Sequence, residues 1–379
     1  MNGERQFRNL LLHIISRSAT ATLAIAVIFA LTVVLTPSVQ AQTPSAGGTW
    51  TEQVLLSFDG TDGADPLANL IFDAAGNLYG TTYAGGSYGL GTVFELTPSM
   101  GGGWTEKVLH NFGQGSDGSQ PAGGLIFDAA GRLYGTTYFG GSNGYGTVFQ
   151  LIPSAGGDWT EKVLHSFSGT DGSNPVYGSL TFDAAGNLYG TTYAGGSYGV
   201  GAVFELTPSM GGGWSEKVLH NFGQGSDGSQ PVGGLIFDAA GRLYGTTQVG
   251  GSFYHGTVFE LTPEPGGDWT EKVLHNFSGG ADGAVPNVGL IFDAAHNLYG
   301  TTDLGGAYGW GTVFELAPSP HAVGGGWTAQ VLHNFGQGSD GADPYGTLIF
   351  DPAGNLYGVT EYGGAYHFYD GTVFELIHN

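Results

Sequence analysis

Residues 104–153 read WTEKVLHNFGQGSDGSQPAGGLIFDAAGRLYGTTYFGGSNGYGTVFQLIP, and the way this stretch divides decides the fold. Residues 104–112 alternate apolar and polar side chains, as in a strand with one covered face. A Gly-rich loop with an Asp-Gly pair and then Pro121 follows. Residues 125–128 form a short apolar run, the pattern of a strand buried on both faces. DAAGR reads as a tight hairpin turn, with Gly131 where the backbone needs positive φ. Residues 133–137 and 147–151 are two more short strands, joined by a loop of paired glycines and aromatics.

The unit recurs along the chain. Trp50, Trp104, Trp159, Trp214, Trp269 and Trp327 follow one another at spacings of 54, 55, 55, 55 and 58 residues. Each opens a version of WTEKVLHNF, and each is followed by DG…P, GLIFDAAGNLYGTT, a GG-aromatic loop and GTVFELTP. In the sixth copy Pro352 replaces the first Ala of the turn, a place that suits a type I turn; in the fifth His296 replaces the glycine, at the cost of strain. Helical periodicity is absent after residue 42, so the protein is expected to be all-β.

Six units of four short strands predict a six-bladed β-propeller. Residues 50–58 form a lone Trp-type strand before the first full set, and the sequence given stops after the GTVFEL strand. The N-terminal strand is therefore expected to complete the last blade, which removes two unpaired edges. Counted outward from the channel, the strands of a blade are Leu-Ile-Phe, Leu-Tyr-Gly, Thr-Val-Phe and the Trp-type strand. An open β-solenoid is the rival architecture, and it gives no reason for the terminal offset.

Composition narrows the function. The 379 residues include 72 glycines, are 41% hydrophobic and only 11% charged, and carry a formal charge of −23. That apolar content excludes a disordered acidic tail, and the sign of the charge disfavours nucleic acid. With no cysteine, disulfides, thiolate metal sites and cysteine nucleophiles are excluded. Arg5, Arg8 and Arg17 precede an apolar stretch at residues 19–35, and small residues Val39 and Ala41 follow. This is the layout of a secretory signal peptide over residues 1–41, cleaved after Ala41, with a short segment 42–49 before one domain at 50–379. An uncleaved anchor is the alternative, although 17 residues is short for a span. The mature chain, expected to be a monomer with no membrane span, would carry six basic and 31 acidic residues.

The order GNLYGTT, GG, GTVFELTP, Trp-type strand and DG…P, present in all six copies over residues 50–379, resembles the Gloeo/Verruco tandem-repeat family. Its members are described as choice-of-anchor proteins, exported repeat proteins with differing surface-sorting tails. The resemblance implies export and a repeat type only, and it assigns no biochemical activity either way. The chain ends at Asn379 without an apolar anchor or basic tail, so a released or periplasmic protein is expected. A looser resemblance is to kelch-type propellers, whose copper oxidases use a cysteine-linked tyrosine that this chain lacks.

Strand order puts the DG…P loops and the GG-aromatic loops on one face of the ring. Residues 104–158 and 214–268 differ at 11 of 55 positions, five of them between 138 and 145. Variation thus gathers in loops that carry Tyr83, Tyr88, Tyr138, Tyr145, Tyr193, Tyr198, Phe253, Tyr254, Tyr308, Trp310, Tyr366, Phe368 and Tyr369. Such rings suit stacking on sugars or on partner surfaces, and equally the filling of the channel mouth. The polar exceptions are Gln248, His255, Asp303, Glu361, His367 and Asp370.

Each DG…P loop fixes one Asp: Asp62, Asp117, Asp171, Asp227, Asp282 and Asp340. A ring of carboxylates for Ca²⁺ is one reading; an Asp capping its own turn is the plainer one. Asp59, Asp62, Asp65, Asp340 and Asp343 are the metal candidates if any exist. His110, His165, His220, His275 and His333 recur on the Trp-type strand, with Leu56 in the first copy. Symmetry keeps them one to a blade, so they are expected to be structural, as are the tryptophans. Near-identical blades do not make the asymmetric group catalysis needs. The expected function is binding of glycans or cell-envelope partners, with no cofactor. A carbohydrate-active lyase or hydrolase using Glu361, His367 and Asp370, or a purely structural envelope role, is the alternative.

Overall fold

The computed structural model describes residues 53–319, 326–338, 340–364 and 371–378. Residues 1–41, where a signal sequence is expected, the segment 42–49, Trp50, and Tyr366, His367, Phe368, Tyr369 and Asp370 lie outside the described residues. No helix among the described residues is long and apolar enough to cross a membrane.

Among the described residues all the elements are strands, and they form six antiparallel sheets arranged as the blades of a propeller. Blade I is β1 (Ile71–Phe72), β2 (Leu78–Thr82), β3 (Thr92–Pro98) and β4 (Trp104–Asn111). Blade II is β5 (Ile126–Phe127), β6 (Leu133–Thr137), β7 (Thr147–Pro153) and β8 (Trp159–Ser166). Blade III is β9 (Thr181–Phe182), β10 (Leu188–Thr192), β11 (Ala202–Pro208) and β12 (Trp214–Asn221). Blade IV adds a short β13 (Ser229–Pro231) before β14 (Ile236–Phe237), β15 (Leu243–Val249), β16 (Thr257–Pro263) and β17 (Trp269–Asn276). Blade V is β18 (Ile291–Phe292), β19 (Leu298–Thr302), β20 (Thr312–Pro318) and β21 (Trp327–Asn334). Blade VI is β22 (Gly341–Phe350), β23 (Leu356–Gly363) and β24 (Thr372–Leu376). The pairing order within a blade, β1-β2-β3-β4 and its equivalents, is the one the repeat predicts.

The hairpin turn is built as its residues dictate. Asp128 Oδ1 accepts the N–H groups of Ala130 and Arg132, both at 2.9 Å, while Gly131 takes φ 75°. His296 adopts φ 64° at the same place, the strained form expected of a residue with a Cβ.

Blades pack face to face through one recurring contact. The Phe that ends an outer strand meets, edge-on, the Phe of the third strand of the next blade. Phe112–Phe149, Phe167–Phe204, Phe222–Phe259 and Phe277–Phe314 have centroids 5.1–5.2 Å apart. The tryptophans are packing residues, as expected: Trp159, Trp214, Trp269 and Trp327 lie 6.2–6.3 Å from the tyrosines of the preceding blade.

The seam between blades VI and I is built differently. Among the described residues, blade VI has three paired strands, and residues 54–58 form no ladder with β24. Leu55, Leu56 and Phe58 instead cover Leu78, Phe94 and Leu96 of blade I, with Phe58 edge-on to Phe94 at 5.2 Å. The segment thus takes the packing position of a preceding outer strand without its pairing. Leu56 stands where the other copies place a histidine, which removes a polar anchor described below. Val373 of β24 is 81% exposed, whereas its counterparts Val148 and Val203 are fully buried.

Candidate functional site

One position in each blade decides what the channel mouth presents. It is the residue after the LYGTT strand: Tyr83, Tyr138, Tyr193, Gln248, Asp303 and Glu361 in blades I to VI. Four of them are fixed by the DG…P loop of their own blade. The N–H groups of Tyr83, Tyr138, Tyr193 and Asp303 donate to the carbonyls of Asp65, Gln120, Asn174 and Val285 at 2.9–3.1 Å. Those acceptors each precede the loop proline and sit at φ 55–59°. For Val285, β-branched, that is an unfavourable conformation, and such strain concentrates where geometry is being held.

The mouth therefore has two unlike halves. Tyr83, Tyr138 and Tyr193 pack on Ala122, Val176 and Val232 and line a cavity of about 490 Å³. Gln248, Asn287, Asp303, Tyr345 and Glu361 line a second, of about 610 Å³, and both are bordered by Leu67, Tyr177 and Gln248. Tyr177 approaches Tyr345 of blade VI edge-on, with centroids 6.3 Å apart. Its backbone is bent by a γ-turn: Gly178 N–H donates to Val176 O at 2.6 Å with Tyr177 at φ 55°, the rarer positive form.

Polar groups of the second half are linked. Gln248 Nε2 donates to Asn287 Oδ1 at 2.6 Å. Burial, then Asp343 and Glu361 nearby, push the Asp303 carboxyl up to about 6, opposed by a hydrogen bond from Asn287. Burial and Glu361 raise Asp343, whose Oδ1 is buried without a hydrogen-bond partner. Burial first, and then the neighbouring Tyr193, Tyr83 and Tyr177, raise Tyr138. Lys107, Lys162 and Lys217 donate to Gly157, Gly212 and Gly267 of the following blade, and Arg132 and Arg242 pair with Asp128 and Asp238 in the hairpin turns. None of these five cations lines the mouth.

The other loop aromatics form an outer rim. Tyr88, Tyr145, Tyr198, Phe253, Tyr254, Tyr308 and Trp310 are all exposed. Tyr88 and Tyr198 accept from the Gln114 and Gln224 amides, and Tyr145 lies over Gly169. The ten described aromatics of the set expected to act together are thus split, three at the mouth and seven on the rim. Tyr177, Tyr345 and Asn287 were not singled out by sequence. The signal for Tyr177 was there, since five copies place three residues between the loop Pro and the next strand's Leu, and the third has one more, Pro175 to Leu180.

The loop aspartates cap their own turns. Gly113, Ser168, Gly223, Ser278 and Gly341 N–H groups donate to Asp117, Asp171, Asp227, Asp282 and Asp340 at 2.8–3.2 Å. Asp62 accepts Asp59 N–H at 2.9 Å, and Asp59 accepts the Thr61 N–H and hydroxyl. The second oxygen of each later Asp meets the histidine of the outer strand: His110–Asp117, His165–Asp171, His220–Asp227, His275–Asp282 and His333–Asp340, at 3.0–3.2 Å. A glutamate of the next blade's outer strand adds a third group. Glu106, Glu161, Glu216 and Glu271 each keep Oε1 buried and without a hydrogen-bond partner. Burial pushes Glu161 and Glu216 up to about 7 and Glu271 up to about 8.

A pH dependence follows. A carboxyl with a raised folded-state pKa stabilises the fold below its unfolded value and loses that contribution as pH rises through the folded value. Native stability at pH 9 should therefore fall below that of Glu271→Gln by on the order of 1 kcal/mol after solvent screening, with the two nearly equal near pH 4, below the unfolded value. Denaturant melts at both pH values check this. Burial lowers His165 and His275 despite their aspartates, so those groups act oppositely, losing stability as pH drops below about 6.5.

A family model described as the Gloeobacter/Verrucomicrobia repeat matches residues 39–235 and 177–379. No curated protein matches the sequence. Among solved structures, a putative oxidoreductase (glucose dehydrogenase) from Thermus thermophilus is similar, at 17% identity and TM-score 0.46, over 83% of this chain and 97% of that one. A protein of unknown function from Dyadobacter fermentans is similar at 12% identity and TM-score 0.46, over 84% and 96% of the two chains.

Proposed function

The chain belongs to the Gloeobacter/Verrucomicrobia repeat family, and we propose that it is an exported binding module that takes a glycan at the channel mouth. The observation that carries this reading is the bipartite ring at one equivalent position, three tyrosines facing Gln248, Asp303 and Glu361. A sugar has the same division: its C–H face stacks on aromatic rings while its hydroxyls take amides and carboxylates. With no cation among the described lining residues, neutral or amine-bearing sugars fit the mouth better than anionic ones. Surface or envelope partners that present such sugars fall within the same class.

The test is a binding screen of the full chain against a broad glycan panel, with and without calcium. Tyr138→Ala should weaken binding by about tenfold or more, the loss of one stacked ring, while Tyr88→Ala and Trp310→Ala on the rim change it little. Loss confined to the rim variants would move the site outward. No binding to any glycan by a protein that circular dichroism shows to be folded would overturn the glycan assignment. Calcium dependence would bring the loop aspartates back as ligands.

A hydrolase or lyase acting on polysaccharide is the second reading, favoured by Asp303. A carboxyl held near 6 beside two other carboxyls is the kind of environment that acid–base cleavage of glycosidic bonds employs. The same panel reads it, as product released by the native chain and lost in Glu361→Gln with binding retained.

A further inference from the structure

We propose that His165, Asp171 and Glu216 form a binding site for a divalent cation of the zinc class at the junction of blades II and III. His165 lies on β8, Asp171 in the loop that leaves it, and Glu216 on β12 of the next blade. One imidazole nitrogen and one oxygen from each carboxylate all lie within 4.8 Å of one another. His165 Nε2 and Asp171 Oδ2 are already 3.0 Å apart. A tetrahedral ion with bonds of about 2.0–2.2 Å requires ligand atoms roughly 3.3–3.6 Å apart, so a small rotation of Glu216 completes three sides of the site.

The second, independent observation is the state of Glu216. Its Oε1 is buried and receives no hydrogen bond, and its carboxylate brings an oxygen within 4.8 Å of both partner atoms. A buried acceptor with nothing donating to it is costly, and the group must take up either a proton or a cation. Two carboxylates with a neutral imidazole carry two negative charges, which a dication cancels. One nitrogen and two oxygens suit zinc-class ions, whereas calcium asks for six to eight oxygens. The open fourth position is left to water. The ion would clamp the outer strands of neighbouring blades to each other.

The repeat supplies its own controls. Among the described residues, the His110, Asp117 and Glu161 set and the His220, Asp227 and Glu271 set have the same residue types but are not gathered within that distance. Blade V carries Ala329 where the glutamate would stand, and Leu56 replaces the histidine opposite Glu106. One preferred site is therefore expected.

The experiment is calorimetric titration of the full chain, stripped with a chelator, with Zn²⁺ and separately Mg²⁺, and visible absorption with Co²⁺. The expected result is one tight Zn²⁺ equivalent, no comparable Mg²⁺ binding, and tetrahedral Co²⁺ bands. Glu216→Gln should weaken Zn²⁺ about tenfold or more while Glu271→Gln leaves it unchanged. His165→Asn is the second variant should Glu216→Gln not fold. Absence of a tight equivalent in the native chain, or binding unmoved by both Glu216→Gln and His165→Asn, overturns the proposal.

Discussion

Phe204→Ala is expected to lower the unfolding free energy by about 3–5 kcal/mol, the cost of emptying a well-packed aromatic site. Phe204 is fully buried on β11 and touches both blades of a junction. Its ring lies 5.2 Å from that of Phe167 at the end of blade II. Tyr134, Val148 and Leu164 of blade II and Leu180, Leu188 and Leu206 of blade III complete the same cluster. Against a total stability of about 5–15 kcal/mol this is a large fraction, so the variant should unfold at a far lower denaturant concentration. Phe253→Ala, at an exposed rim ring, should stay within about 0.5 kcal/mol of the native chain. A loss below about 1 kcal/mol for Phe204→Ala would mean that blade junctions do not carry the stability assigned to them.

Gly201→Ala should be as damaging, for a different reason. Gly201 closes the GG loop of blade III at φ 107°, and its carbonyl accepts Phe222 N–H at 3.0 Å. A Cβ there would stand 2.5 Å from the backbone oxygen of Thr192 and 2.5 Å from Cδ of Pro231 in the next loop. Neither neighbour is a flexible side-chain end, so the loop itself must move, with a cost of about 3 kcal/mol or failure to fold. Gly199→Ala separates the two causes. Gly199 has φ 78° and open space around it, so that variant should lose only the backbone strain, about 1 kcal/mol. Equal losses in the two variants would show that the Gly201–Pro231 contact does not lock the blades.

The same contact explains how much of the fold was legible. Strand lengths, their order from the channel, the hairpin turns and the face shared by the two loop families all follow from local periods of two and from turn chemistry. So does the capping role of the loop aspartates, because acceptor and donor lie within one turn of each other in the chain. What decides the site is not local. Tyr83 and Tyr88 sit in one loop, yet one lines the channel and the other the rim. Nothing in their spacing carries the direction of the loop. The His165–Asp171 bond joins two residues that sequence reasoning treated separately, and Glu216 joins them from the next blade. Gln248, Asp303 and Glu361 were visible as polar exceptions, but their convergence on one cavity needs the ring.

The seam at blade VI sets a direction for everything that happens in time. Interior blades are held on two sides, whereas β24, among the described residues, has a neighbour strand on one side only and its Val373 looks outward. Opening is therefore expected to begin there and to run from blade to blade. Amide protons on β24 are expected to exchange before those of β11, and a protease to make its first cut near the seam, as hydrogen exchange and limited proteolysis would read.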